Sequence, residues 1–252
     1  MGVHRSIRRW GWLPLGYLVA LAPLPAAVEP EAEGDRARYY DSLGLVHQIR
    51  GELALAGSLH LRALVLSIED EDLHGTADAL GNLGIVFLER GDLVRAEDLH
   101  RRSLAINREL GRTGEVARNL GNLGTVLQRQ GDLEGAEGMY RESLRLNLGL
   151  GRRGEIANDH ANLGTVYQAR GDLDTAEAMY RSSLAIETSL GRKEGMGRDL
   201  ANLGLVHRAR GEHQRAIALW RRAAALLEEV GSADAARIRD WIEATAARGS
   251  VE

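Results

Sequence analysis

A self-similarity with a fixed 40-residue period, extending over nearly all of the chain after residue 39, limits the possible folds more than any other feature. Its first marker is a Leu-Gly pair, and its second is a glycine followed by an acidic residue, seven positions after the glycine of the first. The first marker recurs as Ser42-Leu43-Gly44, Asn82-Leu83-Gly84, Asn122-Leu123-Gly124, Asn162-Leu163-Gly164 and Asn202-Leu203-Gly204, and the second as Gly51-Glu52, Gly91-Asp92, Gly131-Asp132, Gly171-Asp172 and Gly211-Glu212. Such a period is typical of proteins in which one supersecondary unit stacks on copies of itself.

The third copy shows what the unit is. Leu120, Leu123 and Leu127 lie on one face of a helix that ends before Gly131. Asp132 is well placed to cap a second helix, and Gly151 allows the left-handed turn that ends it. Each unit is therefore predicted to be an antiparallel helical hairpin, whose second apolar flank must be covered by the next copy. Gly124 and Ala136 are expected to be the small residues at which the two helices cross.

Composition supports a helical fold and excludes some functions. Aromatic residues make up only 4% of the chain, and Ala and Leu dominate its 44% hydrophobic content, which favours helices over strands. A formal net charge of -4 provides no general attraction for a polyanion, so nucleic acid is not an expected partner. The absence of cysteine excludes disulfides, thiolate catalysis and thiolate metal sites.

The pattern resembles the tetratricopeptide repeat family from residue 40 to about residue 230. The resemblance rests on Leu-Gly in the first helix, on the Gly-Asp turn, and on an alanine in the second helix, namely Ala96, Ala136, Ala176 and Ala216. The unit is about six residues longer than the common 34-residue repeat and lacks the usual proline at the end of the second helix. In this it is similar to the repeats of kinesin light chains and of the Leu-Gly-Asn adaptor proteins, which are also widespread in bacteria.

This resemblance implies an all-α fold, a right-handed α-solenoid of five antiparallel hairpins. The five repeats are predicted within residues 31–231, at about 40–79, 80–119, 120–159, 160–199 and 200–231. Residues 232–248 are predicted to form a capping helix, whose apolar stripe contains Ile238, Trp241 and Ile242 and covers the last hairpin.

One recurring residue is not explained by packing. An asparagine precedes the Leu-Gly pair of the last four units, although asparagine lowers helix propensity relative to alanine. In the family, first-helix faces line a concave groove, and the resemblance implies that these asparagines bind the backbone of an extended peptide. The alternative is an asparagine ladder that bridges neighbouring helices for stability alone. The predicted groove residues are Asn82, Asn122, Asn162 and Asn202, together with Arg118, Thr125, Arg129, Asn158, Thr165 and Arg198, which share their helical face.

No catalytic, cofactor-binding or metal-binding residues are predicted. No two of the eight histidines have the spacing of a helical metal site, and His60 and His100 occupy the position of Tyr140 and Tyr180 in other copies. The recurring serines 103, 143 and 183 are interpreted as small packing residues.

The predicted function is that of a non-enzymatic scaffold for a protein or extended peptide. Arg118, Arg129 and Arg198 favour a partner with an acidic side chain or a C-terminal carboxylate. Two alternatives come from other classes: a regulatory or sensory module that controls a partner enzyme through a change in superhelix shape, and an enzyme with its catalytic site inside the groove.

The N-terminal segment, residues 1–30, predicts export. Arg5, Arg8 and Arg9 precede an apolar stretch that ends near the small residues Ala26 and Ala27. A signal peptide or an uncleaved N-terminal membrane anchor would place the protein in the periplasm or cell envelope, and the anchor would be its only contact with a membrane. The alternatives are a cytoplasmic extension and a misassigned start codon.

Overall fold

The computed structural model describes residues 33–249, and within this range the chain forms helices and no strands. The eleven helices of this range are α1 (Glu33–Ile49), α2 (Leu53–Glu69), α3 (Leu73–Glu89), α4 (Leu93–Glu109), α5 (Thr113–Gln130), α6 (Leu133–Leu150), α7 (Arg153–Ala169), α8 (Leu173–Leu190), α9 (Lys193–Ala209), α10 (His213–Glu229) and α11 (Asp234–Gly249). The predicted all-α fold is confirmed. None of these helices is long and apolar enough to cross a membrane.

The turns between helices share one backbone conformation, because a residue with positive φ follows each helix from α1 to α10. These residues are spaced at 20-residue intervals, so the turn inside a hairpin and the connection between hairpins have the same local geometry. Glycine adopts this left-handed conformation without steric cost. The exception among the ten positions is Glu71, with φ 56°. The other nine are Gly51, Gly91, Gly111, Gly131, Gly151, Gly171, Gly191, Gly211 and Gly231.

The residue after the turn glycine inside a hairpin caps the second helix when it is aspartate. Asp92, Asp132 and Asp172 each accept a hydrogen bond from the backbone N–H three residues later, at 2.9–3.1 Å. The predicted cap at Asp132 is thus confirmed. Glu52 and Glu212 form no such cap. Their carboxylates lie instead 2.5 Å and 2.9 Å from Nδ1 of the histidine five residues earlier.

Close approach of the two helices in a hairpin depends on the glycine of the Leu-Gly pair. A Cβ added to Gly44 or Gly84 would lie 2.6–2.8 Å from an imidazole ring of the second helix, that of His60 or His100. The same position packs against a larger ring in later hairpins, as Gly164 does against Tyr180 and Gly204 against Trp220. In these four hairpins the position therefore needs a glycine, because the ring of the second helix occupies the space of a Cβ. Ala136 is fully buried, and the crossing at Gly124 and Ala136 stays a prediction.

The described helices belong to two compact units that divide at Gly131. In the first, α1 pairs with α2, α3 with α4, and α5 packs on α4. In the second, α6 packs on α7, α7 pairs with α8, α9 with α10, and α11 packs on α10. Each unit has its own core, which includes Leu64 and Leu99 in the first and Leu200 and Trp220 in the second.

The helix predicted at 232–248 is present as α11. Ile238 is 1% exposed, and Trp241 and Ile242 pack against the core of the second unit. The predicted unit boundaries at 40, 80, 120, 160 and 200 fall inside the first helix of each pair rather than between hairpins. The Leu-Gly marker lies in the middle of that helix, so it defines the period but not where a unit begins. The predicted signal or anchor, residues 1–30, lies outside the described residues.

Candidate functional site

The recurring asparagines are not equivalent in the structure. Asn122, Asn162 and Asn202 are half-buried on α5, α7 and α9, and their side-chain amides form no hydrogen bond within the described part of the chain. Asn82, in contrast, is 4% exposed. Its Nδ2 donates to both carboxylate oxygens of Asp41, at 2.9 Å and 3.1 Å.

Asp41 explains this difference. It lies one residue before Ser42 in the first copy, and the corresponding positions in the later copies hold Gly81, Gly121, Ala161 and Ala201. None of these has a side chain that can accept a hydrogen bond. Asp41 also accepts a hydrogen bond from Nδ1 of the buried His60 at 2.7 Å. Asn82 is therefore part of a structural contact in the first unit, whereas the three later asparagines have free amides.

The arginines of the predicted groove already have partners. Arg118 pairs with Glu115 at 2.6 Å on its own helix, and one of its nitrogens lies 4.0 Å from Asp78. Arg129 donates to the carbonyl oxygen of Leu88 in the last turn of α3, at 2.9 Å. Arg198 pairs with Glu194, one turn earlier on α9, at 2.5 Å.

These ion pairs are at the surface, because the Arg118 and Arg198 side chains are 39% and 61% exposed. An exposed pair of this kind contributes roughly 0–1 kcal/mol. A carboxylate brought by a ligand could therefore replace the present partner of either arginine at little cost.

The two threonines bond within their own helices. Thr125 and Thr165 donate to the carbonyl oxygens four residues earlier, at 3.2 Å and 3.1 Å. The Thr165 hydroxyl oxygen also accepts a hydrogen bond from the buried Tyr180, at 3.1 Å. Asn158 is exposed, one turn before Asn162 on α7. The predicted residues thus lie in two groups: Asn82, Arg118, Asn122, Thr125 and Arg129 in the first unit, and Asn158, Asn162, Thr165, Arg198 and Asn202 in the second.

The recurring serines are hydrogen-bonding residues rather than only small packing residues, which corrects the sequence interpretation. Ser103 donates to the carbonyl oxygen of Ala77 at 2.7 Å and accepts from the amides of Asn107 and Asn119, at 3.3 Å and 3.1 Å. All three residues are at most 1% exposed. The signal for this contact was present in the sequence, because a polar residue recurs four and sixteen positions after each of the three serines.

Free side-chain amides have the chemistry that binding to a peptide backbone requires. A side-chain amide both donates and accepts, as a peptide unit does, so it can bind a chain in extended conformation without reading its side chains. No group of His, Asp and Glu side chains that could hold a metal ion occurs in residues 33–249.

Known structures resemble this one in fold. BtubC from P. vanneervenii is 24% identical, with 92% of this chain and 93% of that chain covered and a TM-score of 0.68. A Rap protein complexed with Competence and Sporulation Factor is 16% identical, with 83% and 64% covered and a TM-score of 0.70. A protein of P. anserina assigned as a kinesin light chain is 18% identical, with 80% and 99% covered and a TM-score of 0.62.

No curated protein matches the chain in sequence. A family model described as the tetratricopeptide repeat matches residues 35–109 and 153–229, and a second such model matches residues 116–147. Together they span all five copies of the 40-residue period, and the resemblance noted in the sequence is confirmed. The chain belongs to the tetratricopeptide repeat family.

Proposed function

We propose that this protein is a non-catalytic scaffold that binds an extended segment of another protein along the first-helix faces of the second unit, on α7 and α9, which carry Asn162 and Asn202. The observation that carries the proposal is the free, half-buried amide at these two positions, since the same residue is fully engaged at Asn82 in the first unit. Tetratricopeptide repeats are generally non-catalytic scaffolds, and one structure of similar fold is a Rap protein in complex with a peptide factor.

The proposal differs from a purely structural ladder in its effect on stability. Replacing Asn162 and Asn202 with alanine should leave the free energy of unfolding within about 0.5 kcal/mol of the parent value, because no hydrogen bond is lost. Asn82→Ala is the matched control. It removes the donor from Asp41 and should cost about 1–3 kcal/mol. If Asn162→Ala and Asn202→Ala destabilise the protein as much as Asn82→Ala does, the asparagines are structural.

Binding is tested with peptides selected on the full-length protein from a random library displayed on phage. Each lost amide contact should weaken a selected peptide by roughly 0.5–1.5 kcal/mol, so the Asn162→Ala, Asn202→Ala double variant should lose affinity for most of them. Peptides that bind the double variant as tightly as the parent would show that the binding surface lies elsewhere.

We further propose that the partner is acidic where it meets Arg198 of the second unit. The support is the exposure of this guanidinium group and the weakness of its present ion pair with Glu194. Arg198→Ala should weaken acidic peptides selectively and reduce the dependence of their affinity on salt. Equal loss for acidic and neutral peptides would contradict this part of the proposal.

A further inference from the structure

A buried cluster of three polar side chains recurs with the same sequence spacing at three helix junctions, but the side chains differ in chemistry. In each, a serine and a residue four positions later on one helix meet a residue on the next helix. All nine side chains are at most 4% exposed. The three sets are Ser103, Asn107 and Asn119 between α4 and α5; Ser143, Asn147 and Asp159 between α6 and α7; and Ser183, Glu187 and Asp199 between α8 and α9.

The number of carboxyl groups rises from none to one to two along this series. At the α4–α5 junction two amides share the serine oxygen, and no charge is buried. At the α6–α7 junction Asn147 donates to Asp159 at 2.8 Å, so the single carboxylate has a facing donor. At the α8–α9 junction Glu187 occupies the position of that amide and has no proton to donate when it is ionised.

The two carboxyl groups of the α8–α9 junction are incompletely paired. Oε2 of Glu187 and Oδ2 of Asp199 are buried and accept no hydrogen bond. Nε of Arg192 lies 3.2 Å from Glu187 Oε2, which makes an ion pair, but this arginine is 47% exposed. Gly195 packs so closely on the Glu187 carboxyl group that a Cβ there would overlap it.

The remaining surroundings provide little opposite charge. Besides Ser183, α8 contributes Tyr180, whose hydroxyl donates to Thr165 and Gln168 of α7. On α9, Arg198 and Glu194 pair with each other. From α10, the apolar Leu227 packs at Gly197, and Glu229 pairs with Lys193.

We propose that the α8–α9 junction is a proton-sensitive contact, in which Glu187 and Asp199 together retain a proton when α9 is packed on α8, and that loss of this proton loosens the packing. Two neighbouring buried carboxylates repel each other, and the Ser183 hydroxyl and the half-exposed Arg192 offset this only in part. A proton retained by the pair supplies the donor that Asn147 supplies to Asp159. Since α9 also carries Arg198 and Asn202, the junction would couple proton binding to the position of these side chains.

The direction of the pH dependence follows from burial. Desolvation raises the pKa of Asp199 to about 7, with the Glu187 charge adding to the shift and the Ser183 hydroxyl opposing it. Desolvation also raises the pKa of Glu187, against the effect of Arg192 and Arg198. A carboxyl group with a raised pKa in the folded state contributes stability that is fully present below its ordinary pKa of 3.8 and is lost as the pH rises through about 7.

The direct test is carboxyl ¹³C NMR of the intact protein across the pH range. A side-chain carboxyl resonance of Glu187 or Asp199 should titrate near neutral pH. Titration of both carboxyl groups in the ordinary acidic range would overturn the proposal, and this measurement needs no variant.

A second test uses Glu187→Gln, which recreates the amide-to-acid contact of the α6–α7 junction. In the parent protein, the melting temperature of the second unit should fall as the pH rises from about 5 to 8, by roughly 2–8 °C. Glu187→Gln should make this dependence shallower and leave the part that Asp159 contributes, since burial raises the pKa of Asp159 to about 6, and Glu243→Gln, at an exposed carboxyl group of α11, should leave the dependence unchanged. The same slope in all three proteins would contradict the proposal.

Discussion

Each of the ten connections between helices contains one residue that must adopt the same backbone conformation. Each needs a residue with positive φ, and nine of the ten are glycine. Glu71 has φ 56° at the tenth, in the first copy of the repeat, where the sequence has Asp70-Glu71 in place of the usual Leu-Gly. A residue with a Cβ is disfavoured in this region by roughly 1–2 kcal/mol. Glu71 is therefore the position at which the sequence departs from the glycine of the other connections and the backbone is strained as a result.

Glu71→Gly should stabilise the first unit. The gain from relieving the left-handed strain exceeds the added flexibility of the unfolded chain, and we expect a net increase of up to about 1 kcal/mol in the free energy of unfolding. The matched control is Gly91→Ala, which places a Cβ at the same conformation and should destabilise. Thermal and urea unfolding measure both. Destabilisation by Glu71→Gly would show that contacts of the Glu71 side chain outweigh its backbone strain.

His100 gives the first unit an acid sensitivity. Burial lowers the pKa of His100 to about 4, with the nearby Arg118 adding to the shift and Asn119 opposing it. A histidine with a lowered pKa contributes stability that is present above its ordinary pKa of 6.5 and is lost as the pH falls through about 4. We expect a loss of about 2–3 kcal/mol over this range from His100 alone.

His100→Phe should reduce this acid sensitivity, because a phenyl ring can pack on Gly84 without titrating. Tyrosine is less suitable. The hydroxyl of Tyr180 donates to Thr165 and Gln168, and the corresponding positions on α3 are Ile85 and Leu88, whose side chains have no acceptor. Urea unfolding between about pH 4 and 7 measures the effect. An unchanged slope in His100→Phe would mean that another group controls acid unfolding of this unit.

At the scale of helices, α11 ends the repeat by using a different surface from the preceding first helices. It carries no Leu-Gly pair, and its contact with α10 is made by Ile238, 1% exposed, and by Trp241, whose ring centroid lies 5.7 Å from that of Trp220. Its exposed residues include Arg239, which pairs with Glu228 of α10 at the edge of this contact. Such a helix covers an apolar face without creating another one.

Ile238→Ala should therefore destabilise the second unit. Removing a buried isoleucine side chain leaves a cavity between α10 and α11, at a cost of about 2–5 kcal/mol. Arg239→Ala, next to it but 55% exposed, should change the free energy of unfolding by less than about 1 kcal/mol. Denaturant unfolding of the two variants compares them directly, and equal effects would show that α11 does not cap the core.

The helices could be predicted from the sequence because local signals repeat in step with them. The turn glycines and the capping aspartates lie within a few residues of the ends that they determine. The buried contacts between hairpins could not be predicted in the same way. Asn82 binds Asp41, which is 41 residues away and lies in the least typical copy. The serine junctions do leave a signal, since a polar residue recurs four and sixteen positions after each serine, but the sequence alone does not show that these residues meet across a turn.

For the whole molecule, the period and the resemblance are sufficient to predict the family, which the family models confirm. The partner could not be identified in the same way, because a net charge of -4 over 252 residues and free side-chain amides do not distinguish one ligand from another.

We propose that the protein is exported, and the test uses the intact protein in its native organism. N-terminal sequencing should show that the mature protein begins near Val28, and cell fractionation should recover it outside the cytoplasm. Recovery of a full-length, membrane-bound protein would favour an anchor instead. A cytoplasmic protein that retains Met1 would contradict export.

The constant spacing of the turns has a consequence for how the gene can change. Each helix with its turn occupies 20 residues, so a crossover between two copies in the same phase adds or removes a whole hairpin and keeps the reading frame and every turn glycine in place. Loss of residues 153–192, for example, would bring Asn147 of α6 opposite Asp199 of α9, and an amide would again face an acid. The number of hairpins is therefore the property of the protein that recombination in this gene can change with least damage to the fold.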